Sequence, residues 1–231
     1  MPASGWVELM TEKTWGPFEL LAAHQGEVPE TFVIRRRIAA AMQQLSERLI
    51  RVEADDGDLE QWAGVLEKLV EQVGAPPRRN TREANRRLFT GQASSFDVFD
   101  MMDYDPMGGL SNPIAPQLRW VSESAEAVEG VIRLGEHYQG PPGRVHGGVI
   151  AWILDALLSR AMHAALKIGV TGTLNIRYMA STPIDAELRC TAKLVRMEGR
   201  KMFIEGAIFH GEQQTVQAEG IFLQPDFSKR K

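Results

Sequence analysis

Asp155 is the residue whose setting most asks for a chemical explanation. It stands inside the apolar run GGVIAWILDALLSRAMHAAL, residues 147 to 166. A carboxylate in the middle of a buried helix is costly unless it is paired, hydrogen-bonded or protonated. One reading is structural: a bond to Ser159 one turn on, or a pair with a nearby arginine. The other is functional: a general base or a nucleophile whose pKa is tuned by burial. Nine residues before it, His146, Gly147 and Gly148 open the same run. Two glycines at a helix start let a ligand approach the backbone, where unpaired N–H groups point outward. That end carries a partial charge of roughly +0.5 and favours a developing oxyanion. The plain alternative is that the glycines only shape a loop and His146 is a satisfied structural histidine.

Other chemically capable residues read as structural. The single cysteine, Cys190, alternates with Leu188 and Ala192 as a packed strand residue does, and it excludes an intrachain disulfide. Asp97, Asp100, Asp103 and Asp105 form an acidic run that lacks the glycine and terminal glutamate of a calcium loop, so it reads as a loop. No grouping of histidine, cysteine and carboxylates has metal-ligand spacing, so no metal is expected. Arg35, Arg36 and Arg37 read as a solvated helix face.

The elements that must position Asp155 and the glycines follow from periodicity. Residues 118–124 and 127–134 read as strands around a turn. The segment GEHYQGPPGRVHGG then breaks regular structure before the helix over 147–166. Four further strands are predicted at 170–178, 186–197, 201–210 and 215–223. In the second of them Leu188, Cys190, Ala192 and Leu194 alternate with Glu187, Arg189, Thr191 and Lys193. The order β-β-α-β-β-β-β with one helix apolar on nearly every side predicts an α+β hotdog fold. In it a long central helix is wrapped by a curved antiparallel sheet and covered further by a second subunit. Residues 31–73 show two helical stripes, Ile34 to Leu49 and Leu59 to Val73, separated by EADDGD. This helical hairpin is expected to pack on the other domain or on a partner subunit. The segment 74–90, rich in proline, arginine and asparagine, reads as a linker. The chain therefore divides into a helical N-terminal extension and linker, 1–80, and a hotdog domain, 81–231.

Composition narrows the function class. The apolar fraction is 44%, and the formal charge of −4 gives no broad reason to bind nucleic acid. No stretch is long and apolar enough to read as a membrane span. The N-terminus lacks the pattern of a secretory or transit peptide, so a cytoplasmic location is expected.

Three motifs in order carry a resemblance. The run QGPPGRVHGGVIAWILDA resembles the PaaI-type hotdog thioesterases, especially the branch related to carboxy-terminal modulator protein, whose pattern is roughly EGPPGxxHGGxxxxxxDA. VTGTLNIRY resembles that branch's TxNLNIxY strand, and MEGRKMF its VEGRKFF hairpin. Together they cover roughly residues 105 to 224; the N-terminal helices match none of these motifs. The resemblance implies an acyl-CoA thioesterase with coenzyme A as part of the substrate and no further cofactor. Asp155 either activates a water or attacks the thioester carbonyl itself. Thr171 would orient the water, Gly147 N–H would hold the oxyanion, and His146 would fix that turn or touch the substrate. The family arrangement is a homodimer, or a dimer of dimers, whose sites lie at the subunit interface. There HGG from one subunit faces the aspartate and threonine of the other. Gly148, Arg177, Met179, Arg200 and Lys201 are the substrate-side candidates, the cations for coenzyme A phosphates. Two departures stand out: Gln139 replaces the usual acidic residue, and Gly140 stands where many PaaI-type enzymes place an asparagine oxyanion donor. The competing reading is a non-catalytic acyl-CoA-binding module whose helical extension recruits a partner. A hotdog dehydratase or hydratase fits less well, since those use other arrangements of histidine and acid.

Overall fold

Strict alternation of apolar and polar residues builds a six-stranded sheet. A computed structural model of the chain describes residues 28–77, 83–84, 86–87, 92–165 and 167–224. The strands are β1 (Arg119–Glu123), β2 (Val128–Arg133), β3 (Val170–Tyr178), β4 (Glu187–Glu198), β5 (Lys201–His210) and β6 (Gln213–Leu223). All neighbours pair antiparallel in the order β1-β2-β4-β5-β6-β3, which leaves β3 at one edge. Five of these strands match the predicted spans to within a residue at each end, and β6 begins two residues earlier than predicted.

The helix from the apolar run, Gly147–Ala164, lies against the inner face of the sheet. Its Ile150, Ile153, Leu154, Leu157, Leu158, Ala161 and Met162 are buried with Leu188, Cys190, Ala192, Met202, Ile204, Ile208, Val216, Ala218 and Phe222. Gly206 and Gly220 face Leu158, where any Cβ would fall within 3 Å of its methyls. The helix therefore seats deep in the sheet, and shortening Leu158 to alanine would cost about 2–5 kcal/mol. This is the hotdog fold. The opposite face of the helix, with Gly148, Ala151, Trp152, Asp155, Ala156 and Ser159, stays half-buried or exposed within the chain.

The two stripes of the extension form α1 (Glu30–Arg51) and α2 (Asp56–Val73). Asp55 caps α2 by accepting from Asp58 N–H at 2.9 Å. α1 packs on the hotdog domain through Phe32, Ala39 and a row of polar bonds, whereas α2 buries none of its residues. Two expectations fail here. The acidic run is not a loop: Ser94 and Asp97 form a capping box that starts a helix, α3 (Ser95–Asp103). Nor are Arg35 and Arg36 simply solvated. Arg36 binds Asp103 through two bonds of 2.8 and 2.6 Å, and Arg35 lies 3.8 Å from Asp100. Ser111 also donates to Asp103, at 2.6 Å. Each buried carboxylate of α3 thus has a cation, Arg87 serving Asp97. Hydrogen bonds from Arg87 hold the Asp97 carboxyl well below the usual carboxylate range. Within the predicted linker, residues 83–84 and 86–87 are helical, and the rest of 78–91 lies outside the described residues. The reading of the N-terminus, residues 1–27, also falls outside them. The helix after HGG is numbered α4 below.

Candidate active site

Asp155 sits on the open face of α4, and its Oδ1 accepts a hydrogen bond of 2.8 Å from Thr171 Oγ1 on β3. Of the structural alternatives, Arg160 pairs with Glu123 at 2.7 Å and lies over the Trp120 ring. The meeting of Asp155 and Thr171 depends on a bulge. Thr171 pairs with Phe222 and Thr173 with Ile221, so Gly172 is the extra residue. By plain alternation Thr171 would share the outer face of Thr173. The bulge turns it to the side of its partner Phe222, which is buried under α4.

The other half of the predicted site lies at the helix start. His146 is the N-cap of α4, and its Nδ1 accepts from Gly148 N–H at 3.0 Å, so it fixes the turn. Gly147, the first helical residue, has an N–H with no acceptor inside the helix. Its carbonyl accepts from the Tyr178 hydroxyl at 2.8 Å, and a Cβ on Gly147 would sit 3.3 Å from that oxygen. Tyr178 was not singled out from the sequence. Its signal was its parity with Leu174 and Ile176, which face the core.

Gly140 has a packing reason for departing from the asparagine. A Cβ there would stand 2.9 Å from His146 Cα, so no side chain fits against this turn. Its N–H bonds Arg144 O at 2.9 Å, and Gln139 bridges Val145. Gln139 in turn accepts from Gly143 N–H at 2.6 Å, the job of a turn-closing residue that needs no negative charge.

Within one chain the two halves stay apart. Gly147 and Asp155 are separated by eight residues of α4, about 12 Å at 1.5 Å per residue. Arg177 on the edge strand and Met179 just past its end flank Tyr178, exposed and beside the HGG end. Arg200 and Lys201 lie at the β4–β5 turn. Lys201 and Val170 both register with Leu223, so these cations are at the Thr171 end of the sheet. Arg200 donates to Gln224 O at 2.9 and 2.7 Å. Cys190 is buried under α4 and burial pushes its thiol up to about 12, which fits a packed residue and not a nucleophile. Among the described residues no group of three or more histidine, cysteine or acidic side chains is placed to hold a metal ion. No helix among them is long and apolar enough to cross a membrane.

Comparison with known proteins bears on the family and the fold. Residues 142–217 match the family model of the thioesterase superfamily, a span holding HGG, Asp155, Thr171 and Tyr178. Acyl-coenzyme A thioesterase THEM5 of Homo sapiens is 34% identical over 92 residues, 39% of this chain and 37% of that protein. Acyl-coenzyme A thioesterase THEM4 of Rattus norvegicus is 37% identical over 98 residues, 41% of this chain and 42% of that protein. The matched stretch thus spans well under half the length of these curated relatives. The crystal structure of RHA08564, a thioesterase superfamily protein, superposes with a TM-score of 0.69 at 31% identity. That match covers 82% of this chain and 90% of the other.

Proposed function

Because this chain belongs to the thioesterase superfamily, we propose that it hydrolyses an acyl-CoA thioester to a free carboxylic acid and coenzyme A, with Asp155 at the centre of the chemistry. The observation that carries the reading is the bond from Thr171 Oγ1 to Asp155 Oδ1. It spends the threonine proton on one carboxylate oxygen and leaves the other for a water or a carbonyl carbon. In one form Asp155 takes a proton from a water as the water oxygen bonds to the thioester carbon, with Thr171 orienting the pair. The tetrahedral oxyanion then collapses, the C–S bond breaks, and the thiolate of coenzyme A takes up the proton. In the other form the carboxylate itself bonds to the thioester carbon, the C–S bond breaks and coenzyme A leaves as the thiolate; water then cleaves the mixed anhydride to the carboxylic acid, regenerating Asp155, and its remaining proton goes to the thiolate.

The oxyanion is assigned to Gly147 N–H, backed by the positive end of α4. The site is completed by a second copy of the chain, as a homodimer or a dimer of dimers. Supporting this are the half-buried Asp155 face of α4, the position of β3 at the sheet edge among the described residues and the 12 Å gap, about eight residues of rise, between the two halves in one subunit. Gly148 leaves the thioester room at the turn. Arg177, Arg200 and Lys201 are assigned to coenzyme A phosphates, with Met179, just past the end of β3, near Arg177 on the substrate side. The test is a panel of acyl-CoA esters assayed with wild type and Asp155→Asn. Release of coenzyme A by wild type and its near loss in the variant is the expected result. Binding of acyl-CoA without turnover by wild type would replace the enzyme with a binding module.

A further inference from the structure

The HGG turn is the end of a small hairpin, and that hairpin is gripped from outside the hotdog domain. Tyr138 O accepts from His146 N–H at 2.9 Å, and Gln139 bridges Val145, so residues 138–140 hold residues 144–146 in place. On the other side Val145 N–H donates to Thr182 O at 2.9 Å, and Asp185 N–H donates to Leu134 O at 2.8 Å. Both flanks reach α1. Glu47 accepts from Glu136 N–H at 3.3 Å and meets His137 Nδ1. Arg51, one turn on, pairs with Glu47 at 2.6 Å and with Asp185 at 2.7 Å, and lies 3.6 Å from Glu136. The Glu47 carboxylate also presses on Gly135, where any Cβ would collide with both of its oxygens. Partial burial pushes the Glu47 carboxyl up, but the His137 and Glu136 hydrogen bonds and the Arg51 charge outweigh it and hold it below its ordinary value. At its far end α1 is itself fixed by Arg36 on Asp103 and by Gln43 on Asn112 O and Ala115 O.

We infer that Glu47 on the N-terminal helix is a positioning residue for the oxyanion turn, clamping the segment 135–138 that holds His146 and so aims Gly147 N–H. This rests on the proposed role of Gly147. The consequence is that the helical extension contributes to the rate and not merely to cohesion. The chain of contacts runs from Glu47 through Glu136 N–H and Tyr138 O to His146 N–H, one residue from the donor. A displacement of about 1 Å at a reacting centre costs on the order of 10²-fold in rate.

The experiment measures kcat and KM for coenzyme A release by wild type, Glu47→Ala, Glu47→Gln, Gly135→Ala and Asp155→Asn, with thermal melts of each. Glu47→Ala is expected to lower kcat about 10- to 100-fold with KM within about twofold. Glu47→Gln keeps an acceptor for Glu136 N–H and a partner for His137, and should restore kcat to within about threefold of wild type. Gly135→Ala removes no functional group but forces the clamp open, and should repeat the kcat-selective loss. It carries the test alone if Glu47→Ala does not fold. A kcat for folded Glu47→Ala or Gly135→Ala within about twofold of wild type overturns the inference, as does a glutamine variant no better than alanine. If Asp155→Asn is silent while Glu47→Ala works normally, only the clamp falls. If Asp155→Asn is fully active, the reading of the site falls instead.

Discussion

Mixing two inactive variants tests whether each site is shared between subunits. Asp155→Asn removes the carboxylate that Thr171 holds, and Gly147→Val places a branched side chain where a Cβ already meets the Tyr178 hydroxyl at 3.3 Å. Loss of an oxyanion donor costs about 3–4 kcal/mol, or 10²- to 10³-fold, so each parent should be nearly silent. The two groups are eight residues apart on one rigid helix, about 12 Å, too far for both to act on one carbonyl. In a twofold dimer a hybrid would hold one site with both lesions and one with neither. Full reassociation of equal amounts makes about half the dimers hybrid, each with one of two sites intact, so about a quarter of wild-type activity should return. The assay is coenzyme A release by tag-verified hybrids. Hybrids no more active than their parents, with both parents folded, would refute the reasoning and place a complete site in each subunit.

Three further outcomes are expected. Tyr178→Phe removes the bond to Gly147 O, a neutral hydrogen bond worth about 0.5–1.5 kcal/mol, and should lower kcat by about 2- to 12-fold in steady-state assays. Arg200→Ala and Arg177→Ala should each raise KM with kcat nearly unchanged, since a phosphate contact is made equally in ground and transition states; a collapsed kcat with unchanged KM would remove that arginine from the role. EDTA should leave the rate unchanged, and loss restored by zinc would overturn a metal-free mechanism.

What the sequence revealed follows the range of the forces involved. β4 was legible because burial enforces period two: Leu188, Cys190 and Ala192 are buried while Glu187 and Lys193 are exposed. α4 was legible because nearly every position is apolar, and the resemblance located Asp155 and Thr171 on it and beside it. The residues that escaped are those set by partners far along the chain. Asp103 is helical and buried because Arg36, 67 residues earlier, neutralises it. Local pattern cannot show such a pair, and an acidic run without one does read as a loop. Thr171 meets Asp155 only through the bulge at Gly172, which reverses the face that simple alternation assigns. Tyr178 and Gly140 acquire their roles from one neighbouring turn, where a hydroxyl reaches Gly147 O and a missing side chain makes room for His146. The grip of Glu47 on Glu136 and His137 joins segments about 90 residues apart and leaves no local trace.

The central claim is that Asp155 carries out the chemistry, and Asp155→Asn tests it most directly. Asparagine keeps the shape and can still accept from Thr171 Oγ1, so the fold should be preserved while the base or nucleophile is lost. Removing such help is worth about 10²- to 10⁴-fold. The decisive measurement is kcat for coenzyme A release from the best acyl-CoA of the panel, with the melting temperature of both proteins. The account predicts a fall of at least about 10²-fold at an unchanged melting temperature. A folded Asp155→Asn protein that hydrolyses the ester at the wild-type rate would contradict it.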